Sequence, residues 1–114
     1  MYKLLITGSN GQLGRAITKM YQDNKDIELI RTDVAGDDIV SLNITNLEEV
    51  MALVEKEKPY AIINCAAHTA VDACETDWDN AYKINALGPR NLSIAATKVG
   101  AKMVQISTDY VFAG

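Results

Sequence analysis

With 114 residues, 48% of them hydrophobic and 23% charged, the chain fits one domain that buries about two thirds of the surface its unfolded form exposes. A net charge of −4, with Lys and Arg scattered along the sequence, leaves no basic field for a phosphate backbone and excludes nucleic acid as an expected partner. The apolar run at residues 4–6 ends at Thr7 and Gly8, too short for a signal-peptide core or a membrane span, so a cytoplasmic location is expected.

In chain order, residues 3–7 read as an apolar strand that runs into "TGSNGQLG". A helix is predicted over 12–22, its packing side carrying Leu13, Ile17 and Met20. A second strand, 27–32, ends beside Asp33, whereas 40–44 is too short and polar for a core strand. The helix predicted over 45–58 has Thr45 and Glu48 as a capping box, Leu47, Val50, Met51 and Val54 on one face, and Pro59 as its stop. Strand 61–65 follows. Then comes a helical stretch, 78–99, with Ala81, Ile84, Leu87, Leu92 and Ala95 on its packing side and a break at Gly88 and Pro89. A last strand occupies 102–107. Strands alternating with helices predict a parallel sheet wrapped on both faces, because parallel neighbours need long crossovers. The fold class is therefore α/β, a Rossmann-type doubly wound sheet, incomplete at its C-terminal side.

The glycine spacing at the first strand-to-helix turn carries the chemistry. Gly8, Gly11 and Gly14 allow a tight turn, close approach of backbone to a pyrophosphate, and helix-on-strand packing, while the helix start offers N–H groups to the anion. Asp33 stands near the ~20-residue offset of a carboxylate that accepts from an adenosine ribose. Its charge disfavours a 2′-phosphate and so favours NAD(H), while Arg15 and Arg31 keep NADP(H) open. The bland alternative is a turn and a solvated acid; other ligands of this layout are a flavin dinucleotide or S-adenosylmethionine. Ligands of such sheets sit at the carboxyl ends of the strands, which adds residues 64–69 and 107–110 to the same crevice.

Other reactive residues are sparse. Cys65 and Cys74 match no metal knuckle, redox pair or disulfide framework and read as reduced bystanders. His68 is the sole histidine, so no multi-His metal site is expected; it reads as a structural imidazole. Asn85, between Ile84 and Ala86, is expected to point toward the sheet. Tyr21 and Lys25 have Tyr-x-x-x-Lys spacing, but at the far end of the first helix, away from the strand ends.

The segments "ITGSNGQLG", Asp33, "INCAAHTAVDACE", "INALGPRNL" and "ISTDYVF" together resemble the extended short-chain dehydrogenase/reductases, within them the dTDP-4-dehydrorhamnose reductase branch, and the resemblance covers the whole chain. It implies that Gly11, Gln12 and Leu13 hold the pyrophosphate of NAD(H) or NADP(H), with Gly8 and Asn10 also at the cofactor, Asp33 at the ribose, and Asn43 with Ile44 at the adenine edge. Ala66, Ala67 and Thr69 would lie along the cofactor toward the nicotinamide. Thr108 would hydrogen-bond the reacting carbonyl as the catalytic hydroxyl, with Asp109 and Tyr110 beside a dTDP-sugar substrate. Asn85 matches a helix asparagine that supports the active site.

The implied reaction is reduction of the 4-keto group of dTDP-4-dehydro-L-rhamnose, with a Tyr-x-x-x-Lys pair supplying the proton. That pair would follow "STDYVF". The 114 residues are accordingly expected to be the amino-terminal cofactor-binding portion of a reductase, inactive alone, with an exposed sheet edge that favours homodimerisation or other self-association. A non-catalytic nucleotide-binding regulatory subunit of the same fold is the alternative.

Overall fold

The sequence YKLLIT forms the central strand β1 (Tyr2–Thr7), buried at every residue from Leu4 onward, as a strand covered on both faces must be. The computed structural model describes residues 2–34, 36, 39–65 and 86–105. Helix α1 (Gln12–Tyr21), β2 (Ile27–Asp33), the two-residue β3 (Val40–Ser41), α2 (Leu47–Glu57), β4 (Ala61–Asn64), α3 (Gly88–Val99) and β5 (Lys102–Gln105) follow. The sheet has the order β3-β2-β1-β4-β5, and its pairings are all parallel. The chain therefore builds outward from β1 in one direction through β2 and β3, then crosses back to add β4 and β5 on the other side. That reversal is the switch point at which open α/β sheets bind ligands.

Register places Leu5 beside Ile30 on one side and Ile62 on the other. These three enter one apolar cluster with Val50 and Val54 of α2 and Leu92, Ala95 and Ala96 of α3. Because side chains alternate across a strand, Leu4 and Ile6 face the opposite way, where Ile17 of α1 is also buried. Two layers of helix thus sandwich the sheet. The Rossmann-type expectation holds.

Local differences from the predicted elements have physical causes. The cap of α2 lies one residue later than expected, and the reciprocal bond of a capping box is not made: the Asn46 N–H donates to the Asn43 carbonyl. Asn43 Oδ1 accepts from both the N–H (3.0 Å) and the hydroxyl (2.7 Å) of Thr45, committing Thr45 to a tight Asx-type turn. Asn46 is then the cap, its Oδ1 accepting from the Glu49 N–H at 3.2 Å. Met20 is exposed, not packed, since α1 buries only the narrow stripe of Gly14 and Ile17. Leu47, in the first turn of α2, is exposed as well.

Residues 40–44 divide. Val40 and Ser41 pair with Thr32 and Asp33 as an exposed edge, while Leu42 and Ile44 join the core cluster. The predicted helical stretch 78–99 appears as α3 from Gly88, with Pro89 in its first turn, where its missing N–H costs nothing. Residues 78–85 lie outside the described residues, as do the last two of the predicted strand 102–107. A side chain at position 88 would collide with Ile44, whose Cδ1 lies 2.4 Å from where a Cβ would stand.

Candidate functional site

The turn after β1 takes its shape from Gly8, whose φ of 64° is a left-handed conformation that glycine adopts without strain. Its carbonyl accepts from the Gly11 N–H at 3.1 Å, and the Ser9 N–H donates 3.0 Å to the carbonyl of Thr32. Gly14 lets α1 approach: a Cβ there would lie 2.4 Å from Gly8 O and 2.5 Å from Ser9 Cα. The N-cap of α1 is Gly11, and no side chain caps the helix. The first-turn N–H groups of Gln12 and Leu13 therefore remain available to an anion, reinforced by the helix dipole.

Asp33 closes the other side of this turn. Its Oδ2 accepts from the Asn10 N–H at 3.0 Å and its Oδ1 from the Val34 N–H at 2.7 Å. Both bonds fix the carboxylate at the end of β2, next to the turn, and each oxygen keeps a lone pair for a further donor. The turn, the uncapped helix start and the acid together form a cradle of the shape and polarity that a dinucleotide's diphosphate and ribose need.

A second set of polar groups crosses the switch point. Parallel register aligns the last residues of three strands, Thr7, Asn64 and Gln105. The Thr7 hydroxyl donates to Asn64 Oδ1, and Asn64 Nδ2 donates to Gln105 Oε1 at 2.7 Å. Thr7 and Asn64 are fully buried, so this bridge ties β1 to β4 and β4 to β5 beneath the crevice. The sequence placed Asn64 at the crevice without revealing its bond to Thr7. The available signal was a polar residue ending each of three apolar runs.

The remaining expected site residues fall in three groups. Gly8, Asn10, Gly11, Gln12, Leu13 and Asp33 come together in the cradle. Asn43 is exposed and holds Thr45, while Ile44 is a core side chain whose carbonyl accepts from the buried Asn91 Nδ2 at 2.9 Å. The Ile44 side chain and carbonyl are thus already engaged within the fold. Ala66, Ala67, His68, Thr69, Cys74, Asn85, Thr108, Asp109 and Tyr110 lie outside the described residues.

Arg31, considered as a counter-charge for a 2′-phosphate, lines a groove with Glu28, Ile39, Val40 and Glu57, and its Nε is buried without a partner among the described residues. Tyr21 ends α1, about 15 Å along the helix from the cradle. Burial pushes the Cys65 thiol up to about 11, so it stays protonated near neutral pH. Among the described residues no group of His, Cys, Asp and Glu could hold a metal ion, and no helix is long and apolar enough to cross a membrane.

The parallel sheet, its switch point and the glycine turn define a Rossmann-type α/β unit. Residues 2–114 match the RmlD substrate binding domain, and the chain belongs to that family. It is 40% identical to a dTDP-4-dehydrorhamnose reductase of Aggregatibacter actinomycetemcomitans, the match covering 100% of this chain and 37% of that protein. A crystal structure of the corresponding Clostridium acetobutylicum reductase superposes with a TM-score of 0.84 at 58% identity, covering 96% of this chain and 37% of that one. The Bacillus anthracis reductase, solved in complex with NADP, gives 0.85 at 42% identity over 99% of this chain and 38% of that one. The chain is also 36% identical to methionine adenosyltransferase 2 subunit beta of Xenopus laevis, over 98% of its length and 34% of that protein. It spans little more than a third of the length of each of these relatives.

Proposed function

We propose that this chain is the cofactor-binding portion of an NAD(P)H-dependent dTDP-4-dehydrorhamnose reductase, a cytoplasmic enzyme of nucleotide-sugar synthesis. The observation that carries the reading is the glycine turn clasped by Asp33 beside an uncapped helix start. Family membership and the NADP in the Bacillus anthracis relative support it. The bound nicotinamide cofactor would supply a hydride to the 4-keto carbon of the sugar. Gln12 and Leu13 hold the diphosphate by backbone N–H groups, Gly11 lets it come close to the backbone, and Asp33 accepts from the ribose. Asn10, Asn43 and Ile44 line the adenosine side, and Ala66, Ala67 and Thr69 line the path to the nicotinamide. Thr108 orients the carbonyl, and Asp109 and Tyr110 contact the sugar nucleotide. The one Tyr-x-x-x-Lys pair among these 114 residues, Tyr21 and Lys25, lies at the far end of α1, so the chain alone is expected to bind cofactor and turn nothing over.

The test is to follow reduced-nicotinamide absorbance while the longer protein meets dTDP-4-dehydro-L-rhamnose, with NADH and NADPH in parallel. Oxidation of either cofactor that depends on the keto sugar supports the reading; tight cofactor binding with no turnover by the longer protein defeats it. That second result is the one expected of a nucleotide-binding regulatory subunit, the reading favoured by the likeness to methionine adenosyltransferase 2 subunit beta. The 114 residues alone are expected to self-associate along β5, where Val104 is 45% exposed and one strand edge pairs with no described residue. Monodisperse monomers in light scattering at high concentration would remove that part.

A further inference from the structure

Two consecutive N–H groups of the glycine turn are held by the end of β2. Thr32 takes the Ser9 N–H through its carbonyl at 3.0 Å, and Asp33 takes the Asn10 N–H through Oδ2 at 3.0 Å. Thr32 is anchored in turn, its hydroxyl donating 2.8 Å to Ile6 O on β1. The chain after β2 then passes over the same turn. At Gly36, where φ is 144°, a Cβ would stand 1.9 Å from Asn10 Nδ2. The Ser9 and Asn10 N–H groups are therefore held from β2 at two places, and only one of the two is held by a side chain.

We propose that Asp33 is a positioning residue for the diphosphate turn in addition to being the ribose acceptor, so that one carboxylate couples the two halves of the nucleotide site. The inference rests on the cofactor reading above. Without the carboxylate, the Asn10 N–H turns to water and residues 8–11 gain conformations that binding must then freeze out. Part of the affinity for the diphosphate would be lost even for a ligand that has no adenosine ribose to contact. A carboxylate acting on the ribose alone leaves such a ligand untouched.

The decisive variant is Asp33→Ala in the longer protein that carries this chain, with Asp33→Asn beside it. The probes are NADH and reduced nicotinamide mononucleotide, which keeps a phosphate and the nicotinamide but lacks the adenosine. Affinity for the mononucleotide is expected to fall about 10-fold in Asp33→Ala, the scale of one hydrogen bond to a charged group. Asp33→Asn keeps one acceptor oxygen and should fall between that variant and the parent.

Exchange of the Asn10 amide proton, measured without ligand, should quicken in Asp33→Ala and recover in part in Asp33→Asn. Unchanged mononucleotide affinity together with unchanged Asn10 protection would overturn the coupling while leaving the ribose contact intact. Failure of the parent protein to bind NADH would instead overturn the cofactor reading, and the Asn10 amide would still decide whether the clasp exists. If Asp33→Ala does not fold, the amide exchange and mononucleotide affinity of Asp33→Asn carry the decision in the same direction.

Discussion

The two ends of the parallel sheet are held in different ways. At the carboxyl ends, the contacts are made by backbone groups and by buried side chains: Gly8 against Gly14, Ser9 on Thr32, and the fully buried Thr7–Asn64 pair, which reaches out to the exposed Gln105. At the amino ends, backbone bonds such as the Tyr60 N–H to Lys3 O at 2.8 Å are joined only by side chains that are exposed or half-buried. Tyr2 and Tyr60 meet edge to face at 4.8 Å, Lys102 lies 5.1 Å from the Tyr60 ring, and Lys3 pairs with Glu57 at 3.3 Å. Buried polar contacts leave an orphan when one partner is lost, whereas exposed ones are replaced by water. The end that carries the cradle is thereby the end least able to absorb substitution.

The sharpest way to break this contrast is Gly14→Val. Its side chain would drive into Gly8 O and Ser9 Cα, which are backbone and cannot rotate away. A loss of about 3 kcal/mol in urea unfolding is expected, with cofactor binding abolished. A variant that keeps both would show that α1 is not pinned to the turn.

Asn64→Leu comes next. It strands the Thr7 hydroxyl, fully buried, and removes the donor to Gln105, for an expected cost of about 2 kcal/mol. Dinucleotide affinity should fall with it, because β1 and β4 flank the crevice. Equal stability with unchanged affinity would reduce the bridge to decoration.

The smallest effect belongs to the opposite end. Tyr60→Ala removes the ring contact with Tyr2 and the Lys102 stack, yet Tyr60 is 46% exposed. A cost of about 1 kcal/mol is expected, with cofactor affinity unchanged within error. A large effect on binding would erase the distinction between the two ends.

What the sequence revealed follows the same division. The apolar runs, the glycine turn and Asp33 were legible because each is a local signal: a period, a spacing or a residue type at a strand end. The bridge was not, since it depends on parallel register bringing together Thr7, Asn64 and Gln105 from positions 57 and 41 residues apart. Leu42 and Ile44 escaped for a related reason. They are buried because α2 and α3 close over a loop, which no run of five residues can announce. The shift of the α2 cap from Thr45 to Asn46 was decided by competition: Asn43 claimed both polar groups of Thr45 first. Met20 shows the reverse error, an apolar residue at helical spacing that the sheet does not reach.

The contact between Ile44 and Gly88 bears on how this sequence can drift. The Cδ1 and Cγ1 of Ile44 fill the space a Cβ at 88 would need, while its own Cβ stays 3.6 Å away. Glycine with isoleucine fits, alanine with alanine fits, and alanine opposite isoleucine does not. The order of substitution is thereby constrained: position 44 must shrink, or its side chain turn away, before position 88 can leave glycine. Among relatives, a side chain at the start of this helix should travel only with a small residue in the loop it covers, a covariation that marks the contact without any structure.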